Sequence, residues 1–368
     1  MAMEGPVNTE AWLRLNALEF APHRLHTLLE AYGGDPAALF RAAHTDLAER
    51  LPQFNAKRLA HLTAVRDRDI TRDLDALGKS GAHLVTIQDG TYPVNLRQLP
   101  DAPPVLFVRG ELVPEDKFSL AIVGSRRATD YGRTLAFQFA RDLTAHGLAI
   151  ASGGARGVDT YAHRGALEAG GRTLAFLGSG VDVHYPSENR RLFDEIADGH
   201  GAVLSEFPMG TEPKPWHFPA RNRLISGCSL GVLVIESPVD SGSLITARVA
   251  GDQGREVFAI PGSIGMGHNT GCHKLIQDGA KLVESMEDIL GELGVLTLRR
   301  PEESPTRAPL LPPEQRKVLD LLTLQPRQIE GLIHESGLAP PQVMGVLTLL
   351  EMRGLAKRVP GNAFVRVL

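Results

Sequence analysis

The sequence predicts an α/β protein built around a doubly wound, mostly parallel sheet. Two patterns carry that prediction. From Phe118 onward, short unbroken apolar runs alternate with helix-length segments. Those runs lack the apolar-polar alternation of a half-solvated sheet, so each strand is expected to be buried on both faces. Right-handed crossovers between such strands give a Rossmann-like sheet with helices on both sides.

The elements follow in order. Leu13, Leu15, Leu18, Leu25, Leu28 and Leu29 recur at helical spacing, and Tyr32-Gly33-Gly34-Asp35-Pro36 supplies a stop and a turn. A second helical run, rich in Arg and Lys, extends from Asn55 to Leu77. The period then changes to strands at 82–87 and 104–108, with a turn at Tyr92-Pro93. The strands expected in the main region are 120–123, 148–151, 174–177, 202–204, 231–235, 257–260 and 281–283. Between the first two lies Arg133–His146, where Leu135, Phe139 and Leu143 repeat every fourth residue. Residues 295–310 are rich in proline and charge and read as a linker. Helical segments at 313–324, 327–336 and 340–353 follow, then a strand pair at 356–359 and 363–366 turning at Pro360-Gly361-Asn362. Three helices and a hairpin make a winged helix. The expected domains are thus a helical unit over 1–80, the α/β unit over 81–294, and the winged helix over 311–368.

Bulk properties exclude several classes. The chain has 368 residues, 43% hydrophobic and 22% charged, which suits a water-soluble protein of two or three domains. No apolar stretch reaches bilayer length, and the first residues lack a secretory leader's basic start and apolar run, so a cytoplasmic location is expected. Two cysteines, Cys228 and Cys272, cannot form a disulfide framework or a multi-cysteine zinc site. The net charge of −4 argues against coating duplex DNA by bulk positive charge. Any nucleic-acid surface must gather its cations locally.

Five segments carry candidate chemistry. In the first, the strand 120–123 ends at Gly124, and Ser125, Arg126 and Arg127 follow before the next helix. A tight turn with free amides and two arginines can hold a phosphate. It matches neither GxGxxG nor GxxxxGK[ST], so no dinucleotide or nucleotide cofactor is implied. The second, Ser152 to His163, places Gly153, Gly154 and Arg156 between a strand and a helix. Its glycines serve either an anion or close strand-helix packing. The third, Lys214 to Arg223, interleaves Lys214, His217, Arg221 and Arg223 with Trp216 and Phe218, and contains Asn222. Cations with aromatic faces suit unpaired bases, while core packing of the aromatics is the competing reading. The fourth brings Ser241, Gly242 and Ser243 to a helix start, where an N-cap role alone also fits. In the fifth, Gly262 to Gly279, Lys274 would extend the basic track. The carboxyl ends of parallel strands share one edge, so these loops should converge on a single surface fit for a chain of phosphates.

Catalytic alternatives are thinner. No GxSxG elbow is present, and His268, Cys272 and His273 lack a metal-binding frame. Glu206, with the Ser152–Gly157 loop, motivates an alternative: an enzyme hydrolysing nucleotides or N-glycosides. A third reading, a transcription regulator, would need a recognition helix with polar base-reading side chains. Pro340–Arg353 is mostly apolar.

Residues 121–132, 152–163, 177–182 with Tyr185-Pro186, 218–223 and 241–247 closely resemble the DNA-processing protein A family, DprA or Smf. The resemblance extends to Asp89–Pro93 and Pro103–Phe107 and covers about 80 to 290. It implies a non-enzymatic bacterial protein of natural transformation that binds single-stranded DNA, loads RecA on it past the single-strand-binding protein, and dimerises through the α/β domain. By motif position, the family's DNA-contacting basic residue falls on Arg126 or Arg127, and its Lys and Phe on Lys214 and Phe218. The helical N-terminus is similar to the sterile-alpha-motif or helix-hairpin-helix regions of some members.

Overall fold

The computed structural model describes residues 9–265, 267–295, 311–323, 326–353 and 355–366. Most of the expected linker, 296–310, therefore lies outside the described residues.

Six helices open the chain: α1 (Thr9–Ala17), α2 (Pro22–Ala31), α3 (Pro36–Arg41), α4 (His44–Arg50), α5 (Ala56–Arg66) and α6 (Thr71–Ser80). The single run expected over 55–77 is two helices. Asp69 breaks it by accepting the Thr71 amide and hydroxyl in a local turn. Trp12, Leu15, Leu28, Leu39, Phe40 and Leu62 fill the helical core, which runs on into Val105 of the sheet. A second contact sets Leu13, Ile70 and Leu77 against Phe107 and Val181.

The sheet contains β1 (Ala82–Thr86), β2 (Val105–Gly110), β3 (Ser119–Val123), β4 (Ala149–Ser152), β5 (Thr173–Phe176), β6 (Gly201–Ser205), β7 (Gly231–Val234), β8 (Glu256–Ala259) and β9 (Lys281–Leu282). Their spatial order is β1-β2-β6-β5-β4-β3-β7-β8-β9. The seven strands from β6 to β9 in that order are parallel. Strands β1 and β2 join antiparallel, as a hairpin-like edge covered by the N-terminal helices.

Alternate residues of each strand feed opposite cores. On one side, Ala121, Val123, Val232 and Val234 pack with Leu96 of α7 (Val94–Arg97). Connecting helices α8 (Asp130–Ala145), α9 (Val158–Glu168) and α10 (Arg190–Ala197) precede α11 (His217–Cys228), α12 (Gly242–Asp252), α13 (Thr270–Gln277) and α14 (Met286–Leu293). Leu224, Ile225 and Ala247 join the first core, from α11 and α12. On the other side, Leu120, Ile122 and Ile150 meet Phe139 of α8, Ala162 of α9 and Ile289 of α14. Chain direction along the sheet reverses at β3, since β4 to β6 run to one side of it and β7 to β9 to the other. A doubly wound sheet opens its crevice at that reversal.

The C-terminal unit has its own core, in which Val318, Leu332, Val343, Leu347 and Phe364 meet. Helices α15 (Pro313–Leu321), α16 (Ile329–Ser336) and α17 (Pro340–Met352) pack with a sheet of order β10-β12-β11. Strands β11 (Ala356–Val359) and β12 (Ala363–Arg366) lie where the sequence places them. Strand β10 (Arg327–Gln328) was not expected; it pairs Arg327 with Phe364 and completes the winged-helix sheet.

Candidate nucleic-acid interface

At the chain reversal, the loops after β3 and β7 face each other. Gly124 ends β3 because a Cβ there would strike Val158 and come within 2.9 Å of the Glu236 carbonyl. The Ser125 amide donates to that carbonyl at 2.7 Å. The loop then rises through Arg126 and Arg127, both exposed, and the Arg127 amide donates to the Ser125 hydroxyl at 3.1 Å. It returns at Thr129, whose hydroxyl caps α8 by accepting the Gly132 amide. The buried Glu236 carboxylate accepts both the amide and the hydroxyl of Thr129. One residue just beyond β7 thus fixes both feet of the arginine loop.

The loop after β4 is packed beneath this one. Gly157 has φ +75°, and a Cβ on it would sit 2.2 Å from the Ser125 carbonyl oxygen. Gly154, with φ +64°, lies against the Phe193 ring. Gly153 accepts from the Arg221 guanidinium through its carbonyl at 2.6 Å. Asp159, at the start of α9, accepts the Ala155 amide at 3.2 Å. Burial pushes the Asp159 carboxyl up to about 6, and the nearby Arg221 opposes that shift only in part.

Helix α11 supplies the opposite wall. Its first turn carries Phe218, with the Arg126 guanidinium 5.0 Å from the ring centroid and the Tyr185 ring 5.6 Å away. His217 is buried, stacks on Phe207 at 4.2 Å and bonds to the Gly178 carbonyl. Asn222 reaches the Gly242 carbonyl at 3.4 Å, linking α11 to the start of α12. Ser241 caps α12, and the Ser243 hydroxyl bonds to those of Ser237 and Ser241. Gly242 stands open, with nothing near the position of a Cβ.

Together these loops enclose a groove of about 1020 Å³, and its wall includes Ser125, Arg126, Arg127, Phe218, Asn222 and Ser243. Gly124, Ser241 and Gly242 also line it, so ten of the expected site residues are brought together, counting the buried Arg221 at its base. Lys214 stands at the rim, its ammonium 5.6 Å from the Trp216 ring and beside the lining residues Pro213 and Pro215.

The structure puts the other expected residues to different use. Gly153 and Gly154 are buried packing positions. Arg221 lies at the base of the groove but is only 3% exposed, and its Nη1 is spent on the Gly153 and Phe176 carbonyls. Arg223 is held by Glu206 and Asp101 on the side of the N-terminal helices. That ion pair also accounts for Glu206, whose carboxyl burial pushes upward, and takes it out of the groove wall. Arg156 pairs with Glu188, and Lys274 with Asp278 one turn further along α13. A basic side chain already matched by a carboxylate adds little to an anion site.

Four contributors were not assigned to this surface from sequence: Tyr185 and Ile245, seen there only as parts of motifs, and His268, weighed there only as a metal ligand, in the groove wall, and Glu236 beneath it. Glu236 had a signal, since it is the charged residue that ends the apolar run Gly231–Ile235.

Fold and groove define a Rossmann-like α/β protein with a cationic, aromatic-edged crevice at the sheet's reversal and a winged helix appended. The chain belongs to the DNA recombination-mediator protein A family, whose model matches residues 83–294, and the DprA winged helix domain matches 301–362. It is 35% identical to Protein Smf of Escherichia coli over 98% of this chain and 96% of that one. It is 48% identical to DNA processing protein DprA of Streptococcus pneumoniae over 56% of this chain and 73% of that protein. Among solved structures, the X-ray structure of Streptococcus pneumoniae DprA superposes with a TM-score of 0.68 at 39% identity, covering 78% of this chain and 98% of that one. A DprA of Helicobacter pylori, whose structure concerns a single-stranded DNA binding mode, gives 0.51 at 29% identity over 57% of this chain and 95% of that one.

Proposed function

We propose that this protein binds single-stranded DNA in the groove between β3 and β7, without cutting it, and delivers the strand to RecA past single-strand-binding protein during natural transformation. The carrying observation is the convergence of Arg126, Arg127 and Lys214, none of them in an ion pair among the described residues, with exposed aromatic surface and the N-terminus of α12. Backbone phosphates meet cations and helix amides, and bases freed from pairing find rings to stack on. The Helicobacter pylori relative's single-stranded DNA binding mode supports the choice of strand. RecA, the homodimer through the α/β domain and the cytoplasmic setting rest on family membership. No helix among the described residues is long and apolar enough to cross a membrane.

The nucleotide-hydrolase reading loses its motive, because the carboxylate it needs is tied to Arg223. An electrophoretic titration of the full chain with single and double strands of equal length tests the proposal. Preference for the single strand, weakened steeply by Arg127→Glu and Lys214→Glu, is the expected result. Equal affinity for both forms, or unchanged affinity in both variants, overturns it. The RecA step is read separately, as filament growth on a strand precoated with single-strand-binding protein.

A further inference from the structure

The two aromatic side chains of the 214–223 segment are not equivalent. Phe218 is half-buried, and its ring is already engaged by the Arg126 guanidinium, by Tyr185 and by the backbone at Gly178, where a Cβ would lie 3.0 Å from the ring. Inserting a base there requires Arg126 to leave. Trp216, two residues earlier, is 66% exposed, more than any Phe or Tyr among the described residues. An indole that size would ordinarily be covered, since it is the largest apolar side chain available.

This indole also stands beside an anchored ring. It precedes the first residue of α11, and its ring meets the buried His217 ring edge-on at 6.0 Å. His217 is in turn anchored by Phe207 and the Gly178 carbonyl. An exposed aromatic face therefore stands at the start of α11, next to the groove-lining Pro215. Over it lies the Lys214 ammonium, whose flexible stem lets it withdraw.

We infer that Trp216 is a base-stacking platform that extends the groove by one unpaired nucleotide, with Lys214 moving from the ring to the adjoining phosphate when the base arrives. The inference rests on the groove being a single-strand site. Continuity with the lining residues Pro213, Pro215 and Phe218 argues for a nucleotide of the same strand as occupant. An apolar protein partner would be repelled by the desolvation of Lys214, whereas a nucleotide brings its own phosphate to it. Phe218 is then left to support Arg126, its ring carrying that guanidinium at the height where it meets the backbone.

The chain has two tryptophans, and the other, Trp12, is buried in the N-terminal helical core. A full-length Trp12→Phe protein therefore emits from Trp216 alone. It would be titrated with fluorescein-labelled oligo(dT) for anisotropy, and with the unlabelled strand for indole emission. Quenching that follows the anisotropy curve is expected, together with a loss of about fivefold or more in affinity for Trp216→Ala, the lower end of what one base stack contributes. Trp216→Phe should recover most of that loss. Saturating anisotropy with silent indole emission and unchanged affinity in Trp216→Ala overturns the platform but leaves the groove as a DNA site. No anisotropy change overturns both readings.

Discussion

Salt dependence of single-strand binding separates the groove drawn by the structure from the longer basic track suggested by sequence. Seven cations are candidates from sequence: Arg126, Arg127, Arg156, Lys214, Arg221, Arg223 and Lys274. Four are engaged internally, by Glu188, the Gly153 and Phe176 carbonyls, Glu206 with Asp101, and Asp278. Three remain to neutralise phosphates. Each phosphate neutralised on a single strand contributes about −0.7 to the slope of log affinity against log salt, so three give about −2 and seven about −5. Between 50 and 200 mM salt the first slope costs roughly 18-fold in affinity, and the second roughly a thousandfold. Anisotropy of labelled oligo(dT) at four or five salt concentrations resolves the two. Arg127→Ala should flatten the slope by about 0.7, while Lys274→Ala should leave it unchanged. A wild-type slope steeper than about −4, or a flattening by Lys274→Ala, would refute the assignment of three free cations.

Three further outcomes are expected. Glu236→Ala leaves the Thr129 amide and hydroxyl without their buried acceptor, which costs about 1–3 kcal/mol in a thermal or urea melt. It should also weaken DNA binding several-fold without touching DNA, whereas a melt unchanged from wild type would contradict the clamp. Two buried groups make opposing contributions to pH-dependent stability. The Asp159 carboxyl, raised to about 6 mainly by burial, binds a proton in the native state that the unfolded chain lacks between about pH 4 and 6. His163, lowered to about 3 first by burial and then by Arg221, is neutral in the native state where the unfolded chain is protonated, between about pH 3 and 6.5. Their proton counts cancel between pH 4 and 6. Relative to wild type, His163→Gln should therefore gain stability on acidification through that window and Asp159→Asn should lose it, as followed by melting temperature; parallel curves for all three proteins would refute the pairing. Finally, residues 311–368 alone should bind duplex DNA poorly, because α17 exposes Met344, Leu349 and Met352 where base-reading polar side chains would be needed. Tight, salt-dependent duplex binding by that fragment would overturn the expectation.

What the sequence made legible was set by how local the cause was. The inner strands β3 to β7 are continuous apolar runs, so burial on both faces writes itself into composition; the edge strands β1 and β9 are partly or wholly exposed, yet all nine lie within a residue or two of their expected places. Strand direction is not local. The runs 82–87 and 104–108 look like the rest, and only pairing of β2 with β6 reveals the antiparallel edge. Strand β10 is two residues long, too short for any period. The charged segment 214–223 failed for a different reason. On a helix, residues two apart point to different sides. Arg221 therefore turns into the sheet, Arg223 toward Asp101 and Glu206, and Phe218 with Asn222 toward the groove. Counting cations along the chain adds charges that the helix distributes to separate surfaces.

The same geometry explains how an acidic chain keeps free arginines where phosphate would arrive. With 43 acidic and 39 basic residues, an unpaired guanidinium is more readily matched than left alone. Arg109, Arg156, Arg172 and Arg223 are all matched by carboxylates. Beneath the groove the nearest acids are engaged otherwise. Glu236 is satisfied by the amide and hydroxyl of Thr129, and Asp159 faces the buried Arg221 and accepts the Ala155 amide, while Arg126 and Arg127 stay exposed and without ion pairs among the described residues. The affinity of the groove for anions therefore depends on where the buried acids are satisfied as much as on the cations themselves, and net charge is a poor guide to it.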